Sequence, residues 1–132
     1  MKNPMPAKTM PQPNHALVID DNAMARNTLQ QFISMLGYHV LEAEDGVEGI
    51  TAFREHEPSI AFLVVDVEMP KMNGIHTLQE LVCINPDVKV IMATGNYRED
   101  VRQKIKSIKD VIVLSKPFSF EQFSETVKIV MG

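Results

Sequence analysis

One stretch, from Ile60 to Gly74 (IAFLVVDVEMPKMNG), constrains the fold of this chain more than any other. Six apolar residues, Ile60 to Val65, precede a single carboxylate, Asp66. An apolar run of this length, bounded by turn residues, is typical of a strand buried on both faces of a parallel sheet. Pro70 cannot extend the strand, and Gly74 lets the chain turn into a helix. The pattern predicts that Asp66 lies at the carboxyl end of a central strand, facing solvent, where ligands bind in open α/β sheets.

The length, net charge and cysteine content restrict the class of protein. A length of 132 residues suits one domain with a real core, and the net charge of -4 argues against nucleic acid as a direct partner and suits a cation site. No run approaches the roughly 18 apolar residues of a membrane span, and prolines stand where a secretory signal would be apolar. We therefore expect no membrane insertion and a cytoplasmic location. Cys83 is the single cysteine, which excludes a disulfide framework within the chain and predicts a buried, inert thiol.

The chain divides into a short tail and one domain. Residues 1–14 contain four of the eight prolines and no apolar periodicity, so they are predicted to be a flexible proline-rich tail. Residues 15–132 alternate strand and helix patterns. Strands are predicted at 16–19, 38–43, 60–65, 88–93 and 111–114, and helices at 23–36, 45–57, 74–84, 98–108 and after Ser119. Because parallel strands need helical crossovers that cover both sheet faces, this alternation predicts an open α/β fold.

Polar side chains follow four of the five predicted strands: Asp20, Asp21, Asp66, Thr94 and Lys116. At one edge of the sheet, carboxylates within about 5 Å would repel by a few kcal/mol per pair, so they need a cation or raised pKa values. Hard oxygen ligands indicate Mg²⁺, which takes one or two carboxylates and a phosphate oxygen. A hydroxyl and an ammonium beside them suit a phosphoryl group, for which aspartate is a covalent acceptor.

The same positions resemble the receiver domains of two-component response regulators, and the resemblance covers Ala16 to Met131. Four motifs carry it, in the family's order and spacing: Asp20-Asp21, Asp66-x-x-Met69-Pro70-x-Met72-x-Gly74, Thr94, and Lys116-Pro117-Phe118. Since no output domain follows, we expect a stand-alone receiver similar to the chemotaxis regulators.

The resemblance implies a role for three of these side chains. Asp66 resembles the phosphoacceptor, which receives a phosphoryl group from a sensor histidine kinase or a histidine phosphotransfer protein. Thr94 is similar to the hydroxyl that moves to bond a phosphoryl oxygen, and Lys116 to the cation that pairs with it. Such a domain is not an enzyme beyond self-phosphorylation and autodephosphorylation. Its phosphorylation switches the surface that binds a downstream protein target.

The resemblance also implies a metal site and a topology. Asp21 and Asp66 look like direct Mg²⁺ ligands, with the main-chain carbonyl of Glu68 as a third and Asp20 acting mainly through water. The implied fold is flavodoxin-like, a (βα)5 open parallel sheet with strand order 2-1-3-4-5 and helices on both faces, and an example of this order in the family is well known. The Lys116–Pro117 peptide is expected to be cis.

The chain departs from the family at Val113, where a tyrosine or phenylalanine often follows the movement of the hydroxyl. An alternative function is therefore a phosphate-independent docking or scaffold receiver. A less favoured alternative is an aspartyl-phosphate phosphatase, against which the separate Asp20-Asp21 pair argues. The four histidines are scattered without ligand spacing, so metal binding by them is not expected: His15, His39, His56 and His76.

Overall fold

Strands and helices alternate along residues 12–132, the part of the chain that the computed structural model describes. The strands are His15–Ile19 (β1), His39–Ala43 (β2), Ile60–Asp66 (β3), Val90–Thr94 (β4) and Ile112–Ser115 (β5). The helices are Ala23–Met35 (α1), Gly46–His56 (α2), Gly74–Ile84 (α3), Glu99–Ile108 (α4) and Phe120–Met131 (α5). A 3₁₀ turn, Glu57–Ser59, leads into β3. Within this part of the chain, none of the helices combines the length and the apolar character that a membrane crossing requires.

The five strands form one parallel sheet in the order β2-β1-β3-β4-β5, which confirms the predicted flavodoxin-like fold. The run from Ala61 to Asp66 is buried throughout, as expected for a strand with neighbours on both sides. In the register of the sheet Val65 pairs with Ile19, and Asp66 pairs with Ala93. The loops that follow β1, β3 and β4 therefore begin side by side.

Two apolar layers hold the helices on the sheet. Helices α2, α3 and α4 cover one face, where the buried side chains include Ile50, Phe53, Leu78, Leu81 and Ile105. Helices α1 and α5 cover the other face, with Leu29, Ile33, Phe123 and Val127 buried there. Burial of each such side chain stabilises the fold by roughly 1.5–3 kcal/mol relative to exposure. The sheet is thus a rigid base for the loops at its carboxyl edge.

Side-chain caps set the starts of four helices. The side chains of Asn22, Asp45, Asn73 and Ser119 each accept a hydrogen bond from a backbone N–H in the first turn of α1, α2, α3 and α5. The Ser119 cap is the capping box with Gln122 that the sequence pattern indicates. Each cap fixes the residue at which a loop ends and a helix begins. The caps therefore help to position the loops that carry the polar residues of the sheet edge.

Two predictions are wrong in detail, and several other element ends differ from the predicted ones by one residue. The fourth strand begins at Val90 and not at Val88, because the backbone N–H of Val88 donates to the Asn85 carbonyl in a turn. Cys83 is exposed and not buried, because the buried face of α3 is formed by Gly74, Thr77, Leu78 and Leu81. The predicted tail lies almost wholly outside the described residues, and its last three residues, 12–14, have no regular structure.

Candidate functional site

Three carboxylates meet at the carboxyl edge of the sheet. Asp20 and Asp21 follow β1, Asp66 is the last residue of β3, and one oxygen of each lies within 4.8 Å of the others. In residues 12–132 no other group of three or more acidic, histidine or cysteine side chains is so arranged. Asp20 and Asp66 are only 1% and 5% exposed, whereas Asp21 is open to solvent. The expectation that Asp66 faces solvent is therefore wrong, because Lys116 Nζ and the carboxylates of Asp20 and Asp21 lie beside its carboxylate.

Lys116 bridges the two buried carboxylates. Its Nζ lies 3.0 Å from Asp20 Oδ2 and 3.2 Å from Asp66 Oδ1. The lysine backbone is fixed as well, since its N–H donates to the Thr94 carbonyl at 2.8 Å. The Lys116–Pro117 peptide is cis, as expected. One ammonium thus lies among three carboxylates, which leaves a net negative charge in the site.

The protonation equilibria reflect this imbalance. Burial raises the pKa of Asp66 from 3.8 to about 6, because the attraction of Lys116 only partly opposes it and the charge of Asp20 adds to it. Burial alone would lower the pKa of Lys116, but the hydrogen bond to Asp20 and the negative charges of Asp66 and Asp20 outweigh burial and raise this pKa above its ordinary value. A further cation would stabilise the ionised form of Asp66.

The loop that carries Asp20 is held by contacts that the sequence does not reveal. The Asn22 backbone N–H donates to Asp20 Oδ1 at 2.9 Å. Arg26 on α1 donates to the Asp20 carbonyl at 2.8 Å and, through Nε, to Glu42 Oε1 at 3.1 Å. A single arginine in a helical pattern reads as a solvated charge, so sequence reasoning missed it. Arg26 joins α1, β2 and the acidic loop.

The Thr94 side chain is buried and fully engaged. Its Oγ1 donates to Glu68 Oε2 at 3.1 Å and accepts from the Asn96 backbone N–H at 3.0 Å. The sequence analysis assigns a metal-binding role to the Glu68 main-chain carbonyl and does not predict this contact of the Glu68 side chain. The Glu68 side chain thus holds the hydroxyl that the resemblance connects with a phosphoryl group.

The loop after β3 packs tightly on the strand that carries Asp66. A Cβ atom at Gly74 would overlap the main-chain carbonyl oxygen of Asp66. The Gly74 backbone N–H also donates to the Val67 carbonyl at 2.8 Å. Glycine at position 74 therefore permits this return of the chain.

Val113, the position where the family often has an aromatic residue, lies on β5, an edge strand of the sheet. Val113 is half-buried on β5 and lines a surface hollow with Tyr97, which is 41% exposed, and Ile105. Whether Val113 alters the coupling between Asp66 and this surface stays a prediction.

Comparison with known proteins shows the family to which this geometry belongs. A family model described as the response regulator receiver domain matches residues 16–128. The chain belongs to this family. It is 35% identical over 117 residues to the chemotaxis protein CheY of Thermotoga maritima, which covers 86% of this chain and 94% of that protein. It is also 36% identical over 124 residues to the probable transcriptional regulator ycf27 of Porphyridium aerugineum. The match spans about half the length of such regulators, 49% of this one and 44% of the ycf27 regulator of Guillardia theta.

Solved structures agree with the fold of this receiver domain. A response regulator receiver domain protein from Clostridium thermocellum is 29% identical, with a TM-score of 0.78 over 89% of this chain and 93% of that one. The CheX–CheY–BeF3–Mg complex from Borrelia burgdorferi contains a chain with a TM-score of 0.86 and 24% identity, over 92% of this chain and 91% of that one. The latter likeness shows the shared fold alone.

Proposed function

We propose that this receiver domain accepts a phosphoryl group on Asp66, in an Mg²⁺-dependent reaction with the phosphohistidine of a sensor histidine kinase or a phosphotransfer protein. One observation carries the proposal. Asp66 ends the buried central strand with Lys116 Nζ 3.2 Å from one of its oxygens and the oxygens of two more carboxylates within 4.8 Å. A nucleophile, a cation for the phosphoryl oxygens and a set of oxygen ligands therefore coincide.

The residues divide the transfer between them. An Asp66 carboxylate oxygen forms a bond to phosphorus as the P–N bond of phosphohistidine breaks, and the electron pair of that bond stays on the imidazole, which takes up a proton. Only the ionised form of Asp66 attacks, and Lys116 favours that form. As charge on the transferring group develops, Lys116 pairs with a phosphoryl oxygen, since phosphoryl transfer depends chiefly on positioning and electrostatic stabilisation.

The donor set fits Mg²⁺. Carboxylates and carbonyls are the ligands that this ion prefers, and it typically uses only one or two carboxylates. Asp21 and Asp66 would hold it directly with the main-chain carbonyl of Glu68, and Asp20 would act through water. When bound, the ion would neutralise the carboxylates and the incoming phosphoryl oxygens. The Borrelia CheY, which was solved with Mg and BeF3, supports the same choice for this chain.

Thr94 would connect phosphorylation to the surface. Its hydroxyl has one proton, which it now donates to Glu68 Oε2. To donate to a phosphoryl oxygen on Asp66, it must release Glu68. The competition between these two acceptors sets a two-state equilibrium, and the new position of Thr94 and its loop would change the surface for a downstream protein target.

Intact-mass measurement tests the proposal. The protein is incubated with acetyl phosphate with and without Mg²⁺, beside Asp66→Asn and the matched variant Asp87→Asn, which changes an exposed carboxylate outside the cluster. We expect one phosphoryl addition to the wild type and to Asp87→Asn, dependent on Mg²⁺, and none to Asp66→Asn. No addition to the folded wild type would contradict the proposal.

Assays of partner binding and of phosphate-ester hydrolysis separate the two alternatives. A folded protein that takes up no phosphoryl group yet retains its protein partner would be the phosphate-independent docking receiver, which Val113 favours. Steady hydrolysis of small phosphate esters would indicate an aspartyl-phosphate phosphatase. Such phosphatases have a second carboxylate two residues after the nucleophile, which is the position of Glu68 in this chain. The hydrogen bond from Thr94 to the Glu68 carboxylate argues against the phosphatase, because that carboxylate would have to act as its acid–base group.

A further inference from the structure

Two histidines that are distant in sequence meet at the edge of the sheet opposite Asp66. His15 begins β1, His39 begins β2, and the two are register partners in the parallel pair. Their ring centroids lie 5.2 Å apart, with the planes inclined by 38°. Register partners on adjacent strands project to the same face of a sheet. The sheet thus brings together two imidazoles that 24 positions separate in the chain.

The separation of the rings would let one metal ion bridge them. A zinc–nitrogen bond of about 2.0–2.1 Å, added to roughly 1.2 Å from ring centre to nitrogen, places two tetrahedrally arranged imidazole centres about 5 Å apart. The observed 5.2 Å between His15 and His39 agrees with this value. His15 is half-buried and His39 is exposed, so solvent ions reach the pair.

Asn14 orients one of the two rings. His15 Nδ1 lies 2.8 Å from Asn14 Oδ1. In the tautomer that carries its proton on Nδ1, the ring donates to this oxygen and Nε2 keeps a lone pair for a metal ion. Metal-bound histidines commonly donate their second ring N–H to such an oxygen. The Asn14 carbonyl also accepts from the His39 backbone N–H at 2.9 Å, which ties this residue to both strands.

We propose that His15 and His39 bind one borderline divalent transition-metal ion, such as Zn²⁺, Ni²⁺ or Cu²⁺, with water in the remaining positions. Imidazole suits these ions, whereas carboxylates suit Mg²⁺. Two protein ligands are fewer than the three or four of catalytic and structural zinc sites, so the site is open and exchangeable. Strand β1 separates it from Asp20 by roughly 16 Å, five residues at about 3.3 Å per residue. The proposal is therefore independent of phosphorylation at Asp66.

Bound metal would tie strand β1 to strand β2, which lies at the edge of the sheet. An ion that binds the folded chain and not the unfolded chain raises the melting temperature. A rise in melting temperature on adding Zn²⁺ is thus a second readout besides binding itself.

Titration calorimetry with Zn²⁺ tests the site. The protein carries no affinity tag and has Cys83→Ser, because that exposed thiol could bind zinc, and a large excess of Mg²⁺ competes with Zn²⁺ for the carboxylate cluster. We expect one Zn²⁺ per chain with a micromolar Kd. His15→Ala and His39→Ala should each weaken binding at least tenfold, and Asn14→Ala by about tenfold, the usual effect of removing a partner of a ligand. His76→Ala, which removes an exposed histidine on α3, should leave binding unchanged.

Two further measurements make the result unambiguous. Zn²⁺ should shift the imidazole NMR resonances of His15 and His39 and not that of His76, and should raise the melting temperature by several degrees only when both partners are present. Circular dichroism of each variant without metal verifies that it is folded. Zinc binding that survives both substitutions, that falls equally in His76→Ala, or that is missing from the folded parent protein would overturn the proposal.

Discussion

Replacing Asp66 with asparagine should stabilise this receiver domain when no divalent metal is present. Burial raises the pKa of this carboxyl to about 6 from 3.8, so its ionisation opposes folding. Each pKa unit corresponds to about 1.4 kcal/mol, which gives at most about 3 kcal/mol for the shift. Asparagine has nearly the shape of the protonated acid and carries no charge. With allowance for screening, we expect Asp66→Asn to increase the free energy of unfolding by about 1–3 kcal/mol at neutral pH.

The pH dependence identifies the cause. Between pH 3.8 and about 6, the folded state binds more protons at Asp66 than the unfolded state does. The stability of the wild type relative to Asp66→Asn is therefore greatest below pH 3.8, falls as pH rises through about 6, and is constant above about pH 7. Urea unfolding of both proteins at about pH 4, 5 and 7.5 in EDTA measures this difference.

Magnesium and a matched variant complete the experiment. Saturating Mg²⁺ should stabilise the wild type and remove most of the advantage of Asp66→Asn, because the ion favours the ionised carboxylate. Asp87→Asn, at an exposed position, should change stability by less than about 0.5 kcal/mol. An Asp66→Asn variant that is less stable than the wild type at neutral pH in EDTA, or an advantage that is equal at pH 4 and 7.5, would refute the reasoning.

Two further predictions concern the loops around Asp66. Gly74→Ala should lower the free energy of unfolding, measured by urea, by about 2–4 kcal/mol, because the new Cβ would overlap the Asp66 carbonyl. The control Gly95→Ala should have a small effect, because a Cβ there would meet nothing within 4 Å. Equal losses in the two variants would contradict this reasoning. Glu68→Ala should strengthen the binding of beryllium trifluoride with Mg²⁺ by about 5–15-fold, since a hydrogen bond contributes roughly 1–1.5 kcal/mol and Thr94 would no longer have to release its acceptor. An NMR titration measures this affinity, Glu68→Gln should change it less, and an unchanged affinity in Glu68→Ala would show that the two acceptors do not compete.

The elements of the fold were predictable because their patterns are local. The apolar run Ile60–Val65 predicts β3, observed at Ile60–Asp66, and the apolar spacing with its proline stop predicts α3, observed at Gly74–Ile84. Ends of elements shifted where a turn hydrogen bond competed with the strand, as at Val88. A local sequence pattern does not show whether a residue at the end of a strand pairs in the sheet or in a turn.

The interior of the site was not predictable from local patterns, because it depends on residues that only the fold brings together. Asp66 is buried partly by Lys116, 50 positions away, and Thr94 is bonded to Glu68, 26 positions away. The meeting of His15 with His39 likewise needs the pairing of β1 with β2. The polar residues at the strand ends predicted which side chains would lie together in the site. Which of them contact each other depends on the register of the sheet and could not be predicted.

The most direct test of phosphorylation at Asp66 is to locate the acyl phosphate. Borohydride reduces an aspartyl phosphate to homoserine, which peptide mass spectrometry assigns to a position in the chain. After incubation with acetyl phosphate and Mg²⁺, we predict homoserine at position 66 alone, and none when Mg²⁺ is withheld. Homoserine at position 20 or 21, or none anywhere in a folded protein, would contradict the assignment of Asp66 as the phosphoacceptor.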